Sequence, residues 1–273
     1  PVRLRFFNPH ALQSAVLAGK SRPLNYNITA AVEASLANPY IVKSGLAGLL
    51  RPERRNDDVG VFGLLPGCDA KKIPVLFTHG LDSDASIWRN AVNEMYADPQ
   101  LNARYYPILF LYPTGNSVPG SAARLRESLR KFRDKWDPGH NSPGMNRMVI
   151  VGHSLGGILS RMQVIDSGEE LRKAFFTRPL SEVPGLTEKE RAQIAKGLEF
   201  TAQPFVKRAV FVAAPHRGSK VAELSIVKTL TKLIKLPLQV TQLTARIVTL
   251  DVTALNPALL GFDSLGLRSV DML

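Results

Sequence analysis

Cysteine is nearly absent from this chain: Cys68 is the only one in 273 residues. A lone thiol excludes an intramolecular disulfide and a cysteine-based zinc site. Cys68 itself reads as a small buried apolar residue. Long hydrophobic runs are missing too. Nowhere do eighteen apolar residues follow one another, so no transmembrane helix is indicated. No internal repeat and no low-complexity tract is found. The chain opens on Pro1 rather than methionine, so any leader for export would lie upstream. The expectation is a soluble or peripheral protein, with the compartment and the oligomeric state left open.

Acidic residues are in short supply. Thirty-five Lys and Arg face 23 Asp and Glu, for a net charge of +12. Such an excess suits nucleic acid, an anionic membrane surface, or a longer protein whose remainder is more acidic. Nucleic-acid modules interleave basic and aromatic residues in recognisable patterns, and none is visible, so no nucleic-acid partner is expected. Peripheral contact with acidic lipid stays open. The densest cationic cluster is Arg124, Arg126, Arg130, Lys131, Arg133 and Lys135, offset by Glu127 and Asp134. Its helical spacing predicts a solvated helix face.

What is present is an ordinary globular composition, 45% hydrophobic, in a length suited to one large α/β domain. Residues 1–55 are irregular and read as an N-terminal arm; 56–273 read as the core. Val59–Leu65 looks like a strand closed by the Pro66-Gly67 turn. Ile73–Thr78, Tyr106–Tyr112, Met148–Val151 and Val206–Ala213 are apolar runs of buried-strand type. Helical patterns lie between them: one capped by Asp84 and stopped at Asp98-Pro99, one over Ser121–Trp136, one over Leu155–Ile165. Strands alternating with helices predict a mostly parallel sheet with right-handed crossovers and helices on both faces. Residues 168–205 and 219–250 exceed simple connections and read as a helical cap, the second equally well as a helix packed on the core. The first contains a capping-box pattern, Thr187-x-x-Glu190. The second places Val221, Leu224, Val227, Leu230 and Ile234 near helical spacing.

The chemistry is carried by Gly152-His153-Ser154-Leu155-Gly156-Gly157, directly after the apolar run Met148–Val151. A buried strand running into Gly-x-Ser-x-Gly and then a helix is a nucleophile elbow. A serine hydroxyl is a weak nucleophile at neutral pH. It needs a base to take its proton and donors to hold the oxyanion that forms. The sharp turn would raise Ser154 above the sheet edge, and the following helix would add positive potential there. The amide of Leu155 is the first expected oxyanion donor. The amide of Leu81, in the His79-Gly80-Leu81 loop after a strand, is the second. His79 and His153 read as structural histidines. No metal and no cofactor is implied, since acyl transfer of this kind needs neither.

Three motifs together resemble the α/β-hydrolase superfamily, and within it bacterial lipase- and esterase-like serine hydrolases. They are Thr78-His79-Gly80-Leu81, the elbow itself, and Ala214-Pro215-His216-Arg217-Gly218-Ser219 at a strand end. The third is also similar to a segment of GPI inositol deacylase-like proteins. The resemblance spans about 59–219 and implies an α/β-hydrolase-type fold. It also implies cleavage of carboxylic esters, lipid-like ones among them, through an acyl-enzyme on Ser154. In that superfamily the triad runs Ser, acid, His along the chain. Here the only histidine after Ser154 is His216, and no acid between them ends a predicted strand. The resemblance places acid and base after later strands that are not found before Leu273, so a chain cut before them is expected. Two rivals stand beside this. One is a Ser154–His216 dyad. The other is a non-catalytic α/β-hydrolase-like protein that binds acyl ligands or a partner.

Overall fold

Ile73–Thr78 is buried at all six positions, which only a strand covered on both faces can be. The computed structural model describes residues 14–23, 59–63, 69–216 and 238–257, with single positions at 30, 34 and 36. Its strands are β1 (Ser14–Leu17), β2 (Lys20–Pro23), β3 (Gly60–Gly63), β4 (Ile73–Thr78), β5 (Tyr105–Leu111), β6 (Met148–His153) and β7 (Val206–Val212). Its helices are α1 (Arg89–Ala97), α2 (Pro99–Arg104), α3 (Val118–Trp136), α4 (Leu155–Arg161), α5 (Glu170–Phe175), α6 (Glu188–Leu198) and α7 (Leu238–Asp251).

Five strands form one sheet in the order β3-β5-β4-β6-β7. β5, β4, β6 and β7 are mutually parallel, and β3 joins β5 antiparallel at one edge. Alternation along the strands divides the side chains between two cores. Leu76, Ile108, Phe110 and Ile150 meet Leu125 and Leu129 of α3 and Leu155 and Leu159 of α4. Val75, Phe77, Leu109 and Leu111 meet Trp88, Val92 and Tyr96 on the opposite face, joined by Leu36. The architecture is therefore the mostly parallel α/β sheet with helices on both faces that the strand–helix alternation predicts.

Several local expectations shift. Asp84 caps a 3₁₀ turn at Ala85–Trp88, and α1 begins only after it. Asp98 does not simply end that helix. Its side chain accepts from the amides of Gln100 and Leu101, so it starts α2 with Pro99 in the first turn. The helix expected from Ser121 begins at Val118, with Ser117 as its cap. The helix after Ser154 stops at Arg161, four residues before Ile165. The Thr187–Glu190 capping box forms as expected at the start of α6. The arm holds a hairpin that its pattern did not announce: β1 and β2 pair antiparallel across Ala18 and Gly19, both at positive φ.

The cationic cluster on α3 is a solvated face only in part: Arg130, Lys131 and Lys135 are exposed as expected, whereas Arg126 and Arg133 turn inward. Arg126 is only 4% exposed. Its guanidinium lies 3.9 Å from the Phe200 ring centre and donates to the Met162 carbonyl (3.1 Å) and the Lys196 carbonyl (2.8 Å). Arg133 packs over Phe205 and donates to Asn146. Both arginines turn to the inner side of the helix, where their long stems pack against these rings. Phe175, Leu180, Val183, Leu198, Ile247 and Leu255 build a third, separate cluster from the longer connections. Cys68, the Pro66-Gly67 turn and the pattern from Val221 to Ile234 lie outside the described residues.

Candidate functional site

The elbow follows from the strand it ends. β6 runs apolar to Val151 and turns at Gly152-His153 directly into α4. Ser154 sits at φ 52° and ψ −122°, a region that costs a residue with a side chain about 1–3 kcal/mol. Its neighbours hold it there. The Ser154 amide donates to the Val212 carbonyl of β7 at 2.9 Å, and its carbonyl accepts from the Gly157 amide at 2.9 Å. Close packing explains the flanking glycines. A Cβ on Gly156 would strike the carbonyl oxygens of Thr78 and His79, and one on Gly152 would strike the Gly156 carbonyl. The turn thus brings β4, β6 and α4 into direct backbone contact beneath a half-buried serine.

The loop after β4 lies against this serine. A Cβ on Gly80 would stand 3.0 Å from the Ser154 Cβ and 3.1 Å from His153 Nδ1. Glycine at position 80 is what lets this loop pack against Ser154 and His153. Two tethers bracket Leu81. Tyr112 donates its hydroxyl to the His79 carbonyl at 2.7 Å, and the Asp82 amide donates to Thr114 Oγ1 at 3.3 Å. The Tyr112 ring also stacks on His79 with centres 4.4 Å apart, and on Phe110 at 5.1 Å. Burial holds the Tyr112 hydroxyl well above the ordinary phenol range, so it stays a donor at every working pH. Tyr112 and Thr114 had no signal as site residues. Tyr112 ends an apolar strand and Thr114 sits in a turn, and only the parallel pairing of β4 with β5 brings them to the loop.

His79 is fully buried, with Nδ1 3.1 Å from the Gly80 carbonyl. Burial lowers its imidazole to about 4, with the Gly80 carbonyl and Asp84 pulling weakly the other way. It is therefore neutral near pH 7, with Nδ1 as the protonated nitrogen that donates to Gly80. Its place in the core suits the bracing role expected of it. His216 follows β7, the neighbour of the elbow strand, but its exposed ring packs edge-on against Phe211 at 4.6 Å. Among the described residues no carboxylate pairs with His216, and the one histidine–carboxylate pair is His140 with Asp134 (2.7 Å), beyond the far end of α3. Arg217, Gly218 and Ser219 lie outside the described residues. Among the described residues no cluster of His, Cys, Asp and Glu is placed to hold a metal ion.

The structure thus places Ser154 next to the Gly80–Leu81 loop and at the N-terminus of α4. Leu155 is the first residue of that helix, so its amide has no intrahelical acceptor.

No protein-family model matches the chain, and no curated protein matches it. Similar solved structures include a lipase of Bacillus licheniformis in its propeptide form, at 18% identity and TM-score 0.36, covering 62% of this chain and 29% of that one. The mature form of that lipase is 17% identical with TM-score 0.37, covering 72% and 64%. An inhibited esterase B of Lactobacillus rhamnosis is 14% identical with TM-score 0.38, covering 76% and 61%. The chain therefore matches less than two thirds of the length of each.

Proposed function

We propose that this chain carries the nucleophile and oxyanion hole of a serine hydrolase of carboxylic esters. The observation that carries this reading is the Ser154 backbone. It is held at positive φ by the Val212 carbonyl of β7 and the Gly157 amide of α4, an arrangement that costs energy. Ser154 Oγ attacks the acyl carbon. The amides of Leu81 and Leu155 hold the oxyanion. The alcohol then leaves, and water later releases the acid from the acyl-enzyme. Neutral His79 is too deeply buried, and protonates too far below pH 7, to serve as the base. The base and its acid belong outside the described residues. Lipid-like esters are the substrate class that the apolar and cationic segments of the longer connections favour.

The test is a fluorophosphonate probe together with p-nitrophenyl esters. The probe's phosphorus bonds Ser154 Oγ and expels fluoride, with the hydroxyl proton going to solvent. The expected result is stoichiometric labelling at Ser154, lost in Ser154→Ala, with poor ester turnover by the chain as it stands. No labelling, even with imidazole supplied as an external base, would sink the nucleophile assignment. It would favour the second reading, a non-catalytic protein that binds acyl ligands, for which the absence of a paired histidine near Ser154 among the described residues speaks. Turnover lost in Ser154→Ala and in His216→Ala would establish the dyad instead.

A further inference from the structure

Between α3 and α6, closed by the segments 166–168 and 199–201, lies a cleft of about 720 Å³. Its floor is Arg126 and its walls carry Arg124, Arg130 and Lys196. It opens beyond the C-terminal end of α4, whereas Ser154 starts that helix, roughly 12 Å away along the helix axis. None of the residues placed around Ser154 lines the cleft.

Charges of both signs line this cleft. Three acids line it: each has a partner other than Arg126 and Arg130, and Glu127 also attracts Lys196 and Arg124 of the cleft itself. Glu127 holds Lys131 at 2.7 Å, Glu199 reaches Arg172 at 3.6 Å, and Asp166 accepts from the Ala202 amide at 2.8 Å. Neither Arg126 nor Arg130 has a carboxylate partner among the described residues. Arg126 spends two donors on carbonyls, and Arg130 gives its Nε to Gln203 at 3.0 Å. The two guanidiniums repel each other. That repulsion adds to burial in lowering Arg126 to about 10. A buried arginine beside a second arginine, with no acid between them, is costly unless an anion joins them. Guanidinium forks suit tetrahedral oxyanions because each offers paired donors in one plane.

We propose that this cleft binds a phosphate group, held by Arg126 and Arg130 with Lys196 at the mouth. The remaining volume accommodates the body that carries the phosphate, either a free phosphorylated molecule or a lipid headgroup.

Calorimetry of the full chain with inorganic phosphate and with pyrophosphate tests this. One saturable site is expected. Arg130→Gln and Lys196→Gln, both on exposed side chains, should weaken it about tenfold each, since each removes a charge-assisted contact. Lys207→Gln on β7 makes the same charge change away from the cleft and should leave binding unchanged. Vesicles of phosphatidylcholine with phosphatidic acid form the second arm. Sedimentation with them that pyrophosphate competes away, and that Arg130→Gln weakens, assigns a headgroup. Saturable binding of pyrophosphate without vesicle binding assigns a free ligand. Absence of a saturable site overturns the proposal, as does equal weakening by Lys207→Gln, which would mean diffuse attraction to a basic surface.

Discussion

His79 makes acid stability a direct reading of the loop beside the nucleophile. Its imidazole is buried and held down at about 4, against 6.5 for a free histidine. Below pH 6.5 the unfolded chain takes up a proton that the folded chain refuses until about pH 4. Acid therefore favours unfolding through that window, and above it neither state binds the proton. Linkage puts the loss at about 2 kcal/mol between pH 7 and pH 5, growing to about 3 kcal/mol by pH 4. Urea unfolding followed by tryptophan fluorescence at pH 7 and pH 5 measures it. The comparison protein is His79→Phe, which keeps a ring against Tyr112 and cannot titrate. Its absolute stability is not the readout; its change between the two pH values is. The wild-type chain should lose about 2 kcal/mol more than the variant over that interval. Equal losses in the two proteins would refute the reasoning, because His79 would then be protonating without penalty in the folded state.

Two further perturbations probe the same corner. Tyr112→Phe strips the hydrogen bond from the buried His79 carbonyl and should cost about 1–3 kcal/mol in urea unfolding. In the same variant the fluorophosphonate labelling rate of Ser154 should fall, since the Leu81 amide loses one of its two tethers; an unchanged rate would free Tyr112 from any positioning role. Gly156→Ala forces a methyl against the Thr78 and His79 carbonyls and should cost more than about 4 kcal/mol, read as loss of a cooperative unfolding transition. Gly168→Ala is its control. Nothing stands within 4 Å of the Cβ it would add, so only the positive φ is strained, at roughly 1 kcal/mol.

The parts that sequence reading reached are those whose cause is local. Met148–His153 and Ser154 announce a strand and an elbow because apolar run, glycine and serine are contiguous. The capping box at Thr187 is equally local, and it forms. Errors arise where one residue serves two neighbours. Asp98 was read as a stop and is also a start, because its carboxylate caps the helix that Pro99 opens. Ser117 was hidden among Pro113, Gly115 and Pro119, which look like a loop until the cap is seen. The stripe from Arg124 to Lys135 has the spacing of a wet helix face, yet Arg126 and Arg133 turn inward. Their partners Phe200 and Phe205 lie more than seventy residues later, and no window along the chain contains both. The Tyr112 tether is invisible for the same reason: it crosses between parallel strands 33 residues apart.

The bond from the Ser154 amide to the Val212 carbonyl has a consequence in time as well as in space. Synthesis delivers the hexapeptide some fifty residues before β7, and loop closure to β7 is a long-range event. Until Val206–Val212 has left the ribosome and docked on β6, the strained turn lacks one of the groups that hold it. The strained backbone at Ser154 is therefore fixed only when the sheet is complete, and any reactivity proposed for its hydroxyl waits on that last strand.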